Sequence, residues 1–552
     1  MLKTQEIHWN KYQIDVEDVM TASALSLKIF RKIYLDEEAF QIVIPNRNQD
    51  NFIRRGYYGG HVDVYKPYGK NLFYYDVNSL YPYIMKTFSM PSGSPVWKNH
   101  LSGLDLSDLY GFIEAYIVCP DSIDRPFLPY KDKKGTLVFP TGKFTGIYFS
   151  EELKHALTLG YEIIPLRGYL FEQRPSPFHG FISDLYTSRL EAKKNGDEAM
   201  TYIYKTLMNS LYGRFGINPE SSVTEICKED RYQSLFRQEK FETASKINEE
   251  YFMVKYFVNY RDDDDWKAPK MSAVHLAAAI TAYARIHMYP MISRSDCLYT
   301  DTDSVVLGRP LSDNFISQTE LGLFKLEHQV KEGFFLAPKT YMLRFEDGHT
   351  IVKHKGQGKV TSEWFESLYA DPSHVMESTI KDPFRKDWNN LTILRKEISL
   401  RLGLPKSSKR CNVYDSNNVW VNTRPKNIVD IGSEDSNLIL TYEMNKERGP
   451  RPKAEGPVRA ETLVEGSYGP EVAGSERPTS SGPKTDSPET SPTLYTTKPK
   501  TIRKFHKVMK DQGRRPKEMK DQDGRSPAKK SFDLGSPSLG PNDSPARPKP
   551  DE

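Results

Sequence analysis

The pattern of apolar and polar positions is sharpest at residues 297–306, where apolar, β-branched and aromatic side chains flank Asp301 and Asp303. It predicts a strand running into a tight turn and a second strand. Residues 72–82 predict an aromatic strand that the chain leaves just after Asp76, because Asn78, Ser79 and Pro82 are turn formers. Residues 272–289 are rich in Ala and Ile around the whole circumference, the mark of a buried helix that delivers the chain into the 297–306 hairpin. Further helices are predicted over 21–30, over 181–194, and from Ser150 as N-cap, with Glu151 and Glu152 in the first turn, to a stop at Gly160. Another runs from an Asp197 cap to Leu211, with Gly213 ending it, and places Lys205, Asn209 and Tyr212 at i, i+4 and i+7 on one face. Residues 46–50 read as a polar loop, and 216–270 as polar and irregular. Beyond Leu404 the periodicity fades. From Gly449 onward 104 residues hold 16 of the 37 prolines and no tryptophan, a composition that cannot build a core, and a disordered tail is expected.

With 552 residues, 38% of them hydrophobic, the chain can hold several domains. No apolar run approaches the roughly 18 residues that a membrane helix needs, and the opening residues resemble neither a secretory signal nor an Arg-rich transit peptide. The four cysteines, Cys119, Cys227, Cys297 and Cys411, show neither zinc spacing nor a disulfide framework, so a reducing interior is expected. The net charge of +4 is unevenly spread: residues 498–552 hold 15 basic and 8 acidic residues, which leaves the body slightly acidic. Any nucleic-acid site in the body must therefore come from local clusters.

Side chains two positions apart on a strand share one face, about 6.8 Å apart along it. Asp301 and Asp303 would then point the same way among residues that want burial, which calls for a neutralising cation, and hard oxygen donors suit Mg²⁺ or Mn²⁺. Backbone N–H groups freed in the turn after Asp76 can hold an anion such as a phosphate. Arg54-Arg55-Gly56-Tyr57-Tyr58-Gly59-Gly60 is a basic, aromatic, glycine-rich turn able to meet phosphates and bases, although taken alone it is more simply an ordinary hairpin turn. The basic stretches at 337–341 and 353–359 suit a nucleic-acid backbone, while lone basic loops are usually just solvated. The acids from Asp262 to Asp265 diverge with nothing apolar to fix them and read as a solvated loop; Asp15-Val16-Glu17 and Asp36-Glu37-Glu38 read as helix-face or loop acids.

Taken together, Asp76-Val77-Asn78-Ser79-Leu80-Tyr81-Pro82, Lys205-Thr206-Leu207-Met208-Asn209-Ser210-Leu211-Tyr212-Gly213 and Tyr299-Thr300-Asp301-Thr302-Asp303-Ser304 resemble, in order, motifs A, B and C of family B DNA polymerases. Lys339-Thr340-Tyr341 is similar to that family's K-x-Y motif, and Tyr57-Tyr58-Gly59-Gly60 to its Y-x-G-G element. The resemblance covers roughly residues 15–400 and leans to the protein-primed branch found on mitochondrial linear plasmids. It implies an α+β, right-hand polymerase: a palm with an antiparallel sheet, helical fingers and a small thumb. The expected order is a linker from the exonuclease side (1–51), palm with motif A (52–90), an insertion for the priming protein (91–180), fingers with motif B (181–215), a second insertion (216–270), palm with motif C and K-x-Y (271–345), thumb (346–404) and the tail (405–552).

The resemblance also implies roles. Asp76 and Asp303 would bridge two Mg²⁺ ions (or Mn²⁺), stabilising the attacking 3′-oxygen and the leaving pyrophosphate, with Asp301 at the rim as a third carboxylate. Lys205 would neutralise the phosphates of the incoming dNTP, in a nucleotide site built from Ser79, Leu80, Tyr81, Asn209, Tyr212 and Gly213, with Tyr81 excluding a ribose 2′-hydroxyl. Tyr57, Gly59, Gly60, Lys339 and Tyr341 would hold template and primer DNA, a terminal priming protein would be the partner, and no membrane is involved. Tyr57 lies too near Met1 for a proofreading exonuclease to precede it, so no proofreading is expected. Synthesis inside the mitochondrion is expected, a bacterial or viral origin fitting the chain equally. The rival reading is a truncated, catalytically inactive remnant that at most binds DNA; the spacing Asp301-Thr302-Asp303 argues against a reverse transcriptase, whose central aspartates are adjacent.

Overall fold

The strand Tyr68–Val77 lies at the centre of a seven-stranded antiparallel sheet whose order is Val62–Val64, Cys297–Asp301, Ser304–Leu307, Tyr68–Val77, Phe324–Ala337, Thr340–Arg344 and Thr350–Lys353. The computed structural model describes residues 2–218, 222–238, 240–257, 272–356, 360–380, 384–387, 392–395, 397–405 and 408–432. All of these fall in one compact unit, residues 1–497. The expected loop at 262–265 and the tail from 433 onward lie outside the described residues.

At the hairpin Cys297–Leu307 the sheet is buried on both faces, which is why that hairpin reads as a continuous apolar run rather than an alternation. Val305 and Leu307 join the core that contains the helix Val274–Ile292, while Tyr299 and Val306 join a second core against Trp364, Phe365 and Leu368 of the helix Ser362–Ala370. The predicted buried helix is thus present, and its small residues let it lie in the middle of the first core. The helices His179–Lys194 and Glu198–Phe215 pack side by side, Asp197 capping the second by accepting from the Met200 amide. Residues 90–174 fold as a four-stranded antiparallel sheet in the order Met90–Lys98, Glu162–Arg174, Gly111–Cys119, Gly142–Phe149, with the helix Ser150–Thr158 following its edge strand.

Several local expectations are corrected. Residues 46–50 open a helix, Arg47–Arg55, whose Asn46 and Gln49 form a reciprocal capping box. Phe149, not Ser150, is the N-cap of the next helix, and the Ser150 hydroxyl instead accepts from the Gly111 amide across the sheet. Gly213 does not end its helix, which continues to Phe215 with Gly216 as cap; fully buried Leu211 and Phe215 outweigh the ~1 kcal/mol that an interior glycine costs. Residues 222–257 are not irregular: Ser222–Lys228, Phe241–Lys246 and Tyr251–Phe257 make a three-stranded sheet closed by the helix Glu229–Phe236 over a small core of Cys227, Leu235, Ala244 and Val254. The expected tail does not begin at 405. Strands Cys411–Tyr414 and Trp420–Arg424 pair, and the Thr423 hydroxyl and amide bond the backbone carbonyls of Val64 and Tyr65. Buried Arg410 stacks 4.8 Å from the Tyr65 ring and donates to Thr423.

Candidate active site

Two turns make the site. In the 297–307 hairpin, Asp301 pairs with Ser304, so Thr302 and Asp303 are its two loop residues, with Thr302 at φ 65°. The two aspartates are therefore not successive same-face residues of one strand, as the alternation implied. The turn sends Asp303 toward Asp76, while Asp301 meets Lys339 Nζ at 2.5 Å. The second turn follows Tyr68–Val77. The Val77 amide donates to the Asp303 carbonyl at 2.8 Å, Ser79 takes a left-handed conformation at φ 53°, and the helix Leu80–Thr87 begins at once. The Asn78 amide group donates to the carbonyls of Ser317 and Glu320, holding the turn in place.

Asp76 and Asp303 share a cavity of about 410 Å³ with Lys205 and Asn209 of one helix and Arg189 and Lys193 of its neighbour. Arg189 also donates to the Ser79 hydroxyl at 3.4 Å. Glu327 and Lys325 complete the charged lining, so three carboxylates and four cations share one concavity. Asp76 is pushed up to about 7, first by burial and then by the charges of Asp303 and Glu327, with Lys205 and Lys325 pulling the other way. Asp303 is raised too, first by burial, with Asp301 adding repulsion and its own backbone amide opposing. Such a pair fits a hard divalent cation, which would relieve both burial and repulsion. Among the described residues no group of three or more His, Cys, Asp or Glu side chains is arranged to hold a metal ion by itself. A cation here would take Asp76 and Asp303 and complete its shell with phosphate and water, as Mg²⁺ commonly does.

Asp76 and Glu327 also line a second groove, of about 350 Å³, with Tyr74, Tyr341 and Lys353. Tyr341 sits there with its hydroxyl 3.5 Å from that of Tyr74, and Lys339, at φ 59°, donates its amide to the Tyr299 hydroxyl. The Tyr81 and Tyr212 rings lie 4.2 Å apart, and the charge of Asp303 reaches both hydroxyls. Leu80 is buried in the core and gives no surface to the cavity, whereas a side chain at Gly213 would meet open space. Tyr57 packs on Gly216, and Gly60 lies so close to Thr302 that a Cβ there would stand 2.7 Å from it. The turn read as Y-x-G-G therefore abuts the 297–307 hairpin directly. It is held by Arg285, which donates to the Tyr58 and Gly59 carbonyls at 2.8 Å and is itself paired in the interior with Glu152 at 2.8 Å. The two D-x-E acids do turn work: Asp15 accepts from the Glu17 amide and Asp36 from Glu38 and Ala39.

The family model described as DNA polymerase type B, organellar and viral, matches residues 1–297. The chain belongs to this family. A probable DNA polymerase of Podospora anserina is 33% identical over 460 residues, covering 76% of this chain and 37% of that protein. One of Neurospora intermedia is 35% identical, covering 68% and 40%. The DNA-directed DNA polymerase of Enterobacteria phage PRD1 is 25% identical over 325 residues, covering 56% and 53%. The chain thus spans less than half the length of these fungal relatives. Phi29 DNA polymerase, solved with primer-template DNA and incoming nucleotide substrates, shares the fold at a TM-score of 0.54 and 18% identity, covering 72% of this chain and 69% of that one. The α+β right-hand architecture expected from the sequence is the one observed.

In this type B polymerase chain, sequence reasoning missed Arg189, Lys193, Lys325, Glu327 and the Arg285–Glu152 pair. Arg189 and Lys193 had a signal, their i, i+4 spacing on a predicted helix. Glu327 had none: it sits where the register of Phe324–Ala337 against Tyr68–Val77 shifts, between Leu326 and His328, and that irregularity directs it to Asp76.

Proposed function

We propose that this chain carries the polymerising activity of a DNA-directed DNA polymerase, adding deoxynucleotides to a primer 3′-hydroxyl in protein-primed replication of a linear, mitochondrial plasmid-like DNA. One observation carries the reading: Asp76 and Asp303 face Arg189, Lys193 and Lys205 across a single cavity. The cations hold the triphosphate of the incoming nucleotide and neutralise charge as pyrophosphate leaves. Asp76, shared with the Tyr74–Tyr341 groove, stands between nucleotide and primer end, so the groove seats the primer terminus. Divalent ions held by Asp76 and Asp303, two Mg²⁺ in the two-metal scheme, would supply activation of the 3′-oxygen and stabilisation of the leaving group. Asp301 acts from the rim by fixing Lys339, which faces the primer backbone. Tyr81 and Tyr212 bracket the nascent pair, Tyr81 on the sugar side, and Asn209 reaches the nucleotide from the same helix face as Lys205. Catalysis is positioning and electrostatics, without a covalent protein intermediate in elongation.

The sheets at 90–174 and 222–257 are the proposed contacts for the terminal priming protein and for processivity, and the mitochondrion is the proposed compartment. The test is primer extension on primed single-stranded DNA with four dNTPs and Mg²⁺, beside Asp303→Ala. Extension by the wild type and not by the variant supports the assignment. A folded wild-type chain that binds DNA but never extends a primer would refute it and leave the inactive remnant.

A further inference from the structure

A third concavity, of about 420 Å³, lies where the edge strand Val62–Val64 meets the turn before Thr340–Arg344, the helix Ser362–Ala370 and the 411–424 hairpin. Among the described residues it shares no lining side chain with the cavity of Asp76 and Asp303 or with the Tyr74–Tyr341 groove. Val64, Leu336, Pro338, Trp364, Leu404 and Trp420 give it apolar walls, and its size is that of a pocket for a small organic molecule.

Set into those walls are acceptors without donors. Asp63 is 1% exposed and its Oδ2 stands 2.8 Å from His61 Nε2, yet among the described residues its Oδ1 has no hydrogen-bond partner. Asn412 Oδ1, on the 411–424 hairpin, has none either. Buried polar atoms are seldom left in that state, because each forfeits what water would have given it. Two such acceptors, from separate elements lining one cavity, suit a molecule that brings donors.

The charges narrow the kind of donor. Burial would raise the Asp63 pKa, but the hydrogen bond from His61 and the charges of His61, Lys409 and Arg410 outweigh it and hold the carboxyl below its ordinary range. The carboxylate is thus ionised and already compensated. Lys409, which donates to the Val62 carbonyl at 3.0 Å, and Arg410 both line the cavity and would repel an ammonium. A neutral N–H is the matching donor, and walls that include two indoles suit a flat aromatic body.

We propose that this cavity binds an uncharged, flat heteroaromatic molecule carrying an amino group, its donors meeting Asp63 Oδ1 and Asn412 Oδ1. Asp63 pairs with Thr300 across the sheet, next to the Val62–Asp301 pair, while Pro338 and Thr340 flank Lys339, which meets Asp301. An occupant therefore touches both supports of the Asp301–Lys339 pair from outside the cavity of Asp76 and Asp303. The binding itself does not depend on the polymerase reading.

The probe is adenosine, titrated by calorimetry into the full chain in EDTA without DNA, beside purine riboside, which lacks only the amino group. Adenosine binds, and purine riboside binds about tenfold more weakly, as expected when a buried acceptor is left unpaired. Asp63→Asn weakens adenosine by about tenfold, and Asn412→Leu, at a half-buried position, by about fivefold. Circular dichroism melts establish that each variant is folded. Lys205→Ala, in the other cavity, binds adenosine as the wild type does. No binding at millimolar adenosine, equal binding of the two nucleosides, or undiminished binding by both Asp63→Asn and Asn412→Leu overturns the proposal. Binding lost in Lys205→Ala overturns it too, since the nucleoside then sits beside Asp76. A failure of any of these kinds leaves primer extension untouched and is separable from it.

Discussion

The pair Arg285–Glu152 offers the most exacting test of how the interior holds the site. Their side chains are 1% and 0% exposed, with Nε to Oε1 at 2.8 Å. Removing one partner from a buried pair costs about 3–5 kcal/mol, because the other charge is stranded. Arg285 keeps its two carbonyl partners in the 57–60 turn, and one carboxylate oxygen and one guanidinium nitrogen make no hydrogen bond even in the intact pair. The loss for Glu152→Ala therefore belongs at the low end, about 3 kcal/mol, and Glu152→Gln, which keeps an acceptor, loses roughly half as much. Replacing both residues, Glu152→Leu with Arg285→Met, removes the stranded charge and should restore most of the stability. It should not restore activity, since the Tyr58 and Gly59 carbonyls then lose the donor that seats Gly60 against Thr302. Denaturant midpoints at a fixed slope give the stabilities, and primer extension at saturating dNTP gives the activity. A loss under about 1 kcal/mol for Glu152→Ala, or a double variant as active as wild type, would show that the pair does not hold the turn.

Three further outcomes follow from the site. Lys205→Ala and Arg189→Ala should each raise KM for dNTP about tenfold or more, an amount that a charged hydrogen bond of roughly 1.5–3 kcal/mol supports. Steady-state kinetics that find KM unchanged in both would remove the triphosphate from that cavity. Tyr81→Val should narrow the rate ratio of dNTP over rNTP incorporation, read by gel extension with each nucleotide set; an unchanged ratio would take the sugar away from Tyr81. Burial alone would raise the Asp296 pKa, but the guanidiniums of Arg294 and Arg309 outweigh it and hold the carboxyl below its ordinary range. A depressed folded pKa adds stability at neutral pH that is lost as pH falls below the ordinary carboxylate range. Asp296→Asn should therefore destabilise at pH 7 and lose progressively less, relative to wild type, as pH falls from about 4 downward; parallel melting curves across that range would contradict it.

Much of the architecture was legible because strong local signals agreed. The 272–289 segment and the two strands of the 297–307 hairpin are buried almost throughout, and the strand ending at Asp76 is buried or half-buried from Leu72 onward, so their patterns are dense. The segments misread were those whose burial is small or borrowed. The 222–257 sheet covers a core of a few residues and leaves Val223 and Ile226 exposed, so its alternation is weak. The 411–424 hairpin borrows its burial: Trp420 joins the core that contains Trp364, and Thr423 and Arg410 dock on residues 64–65, some 350 positions earlier in the chain.

The sequence by itself determined the family, the order of the motif-bearing elements and the residues of the two-carboxylate, one-lysine core: motif spacing and periodicity are local properties. Only the tertiary structure decided which carboxylate faces which partner. A two-residue turn, not strand alternation, separates Asp303 from Asp301, and long-range pairing with Lys339 then claims the latter. It also brought Arg189, Lys193 and Glu327 to Asp76, and joined Arg285 to Glu152 across 133 positions of sequence. Those encounters depend on helix packing and a shifted strand register. Charge attracts across space, and distance along the chain does not reveal it.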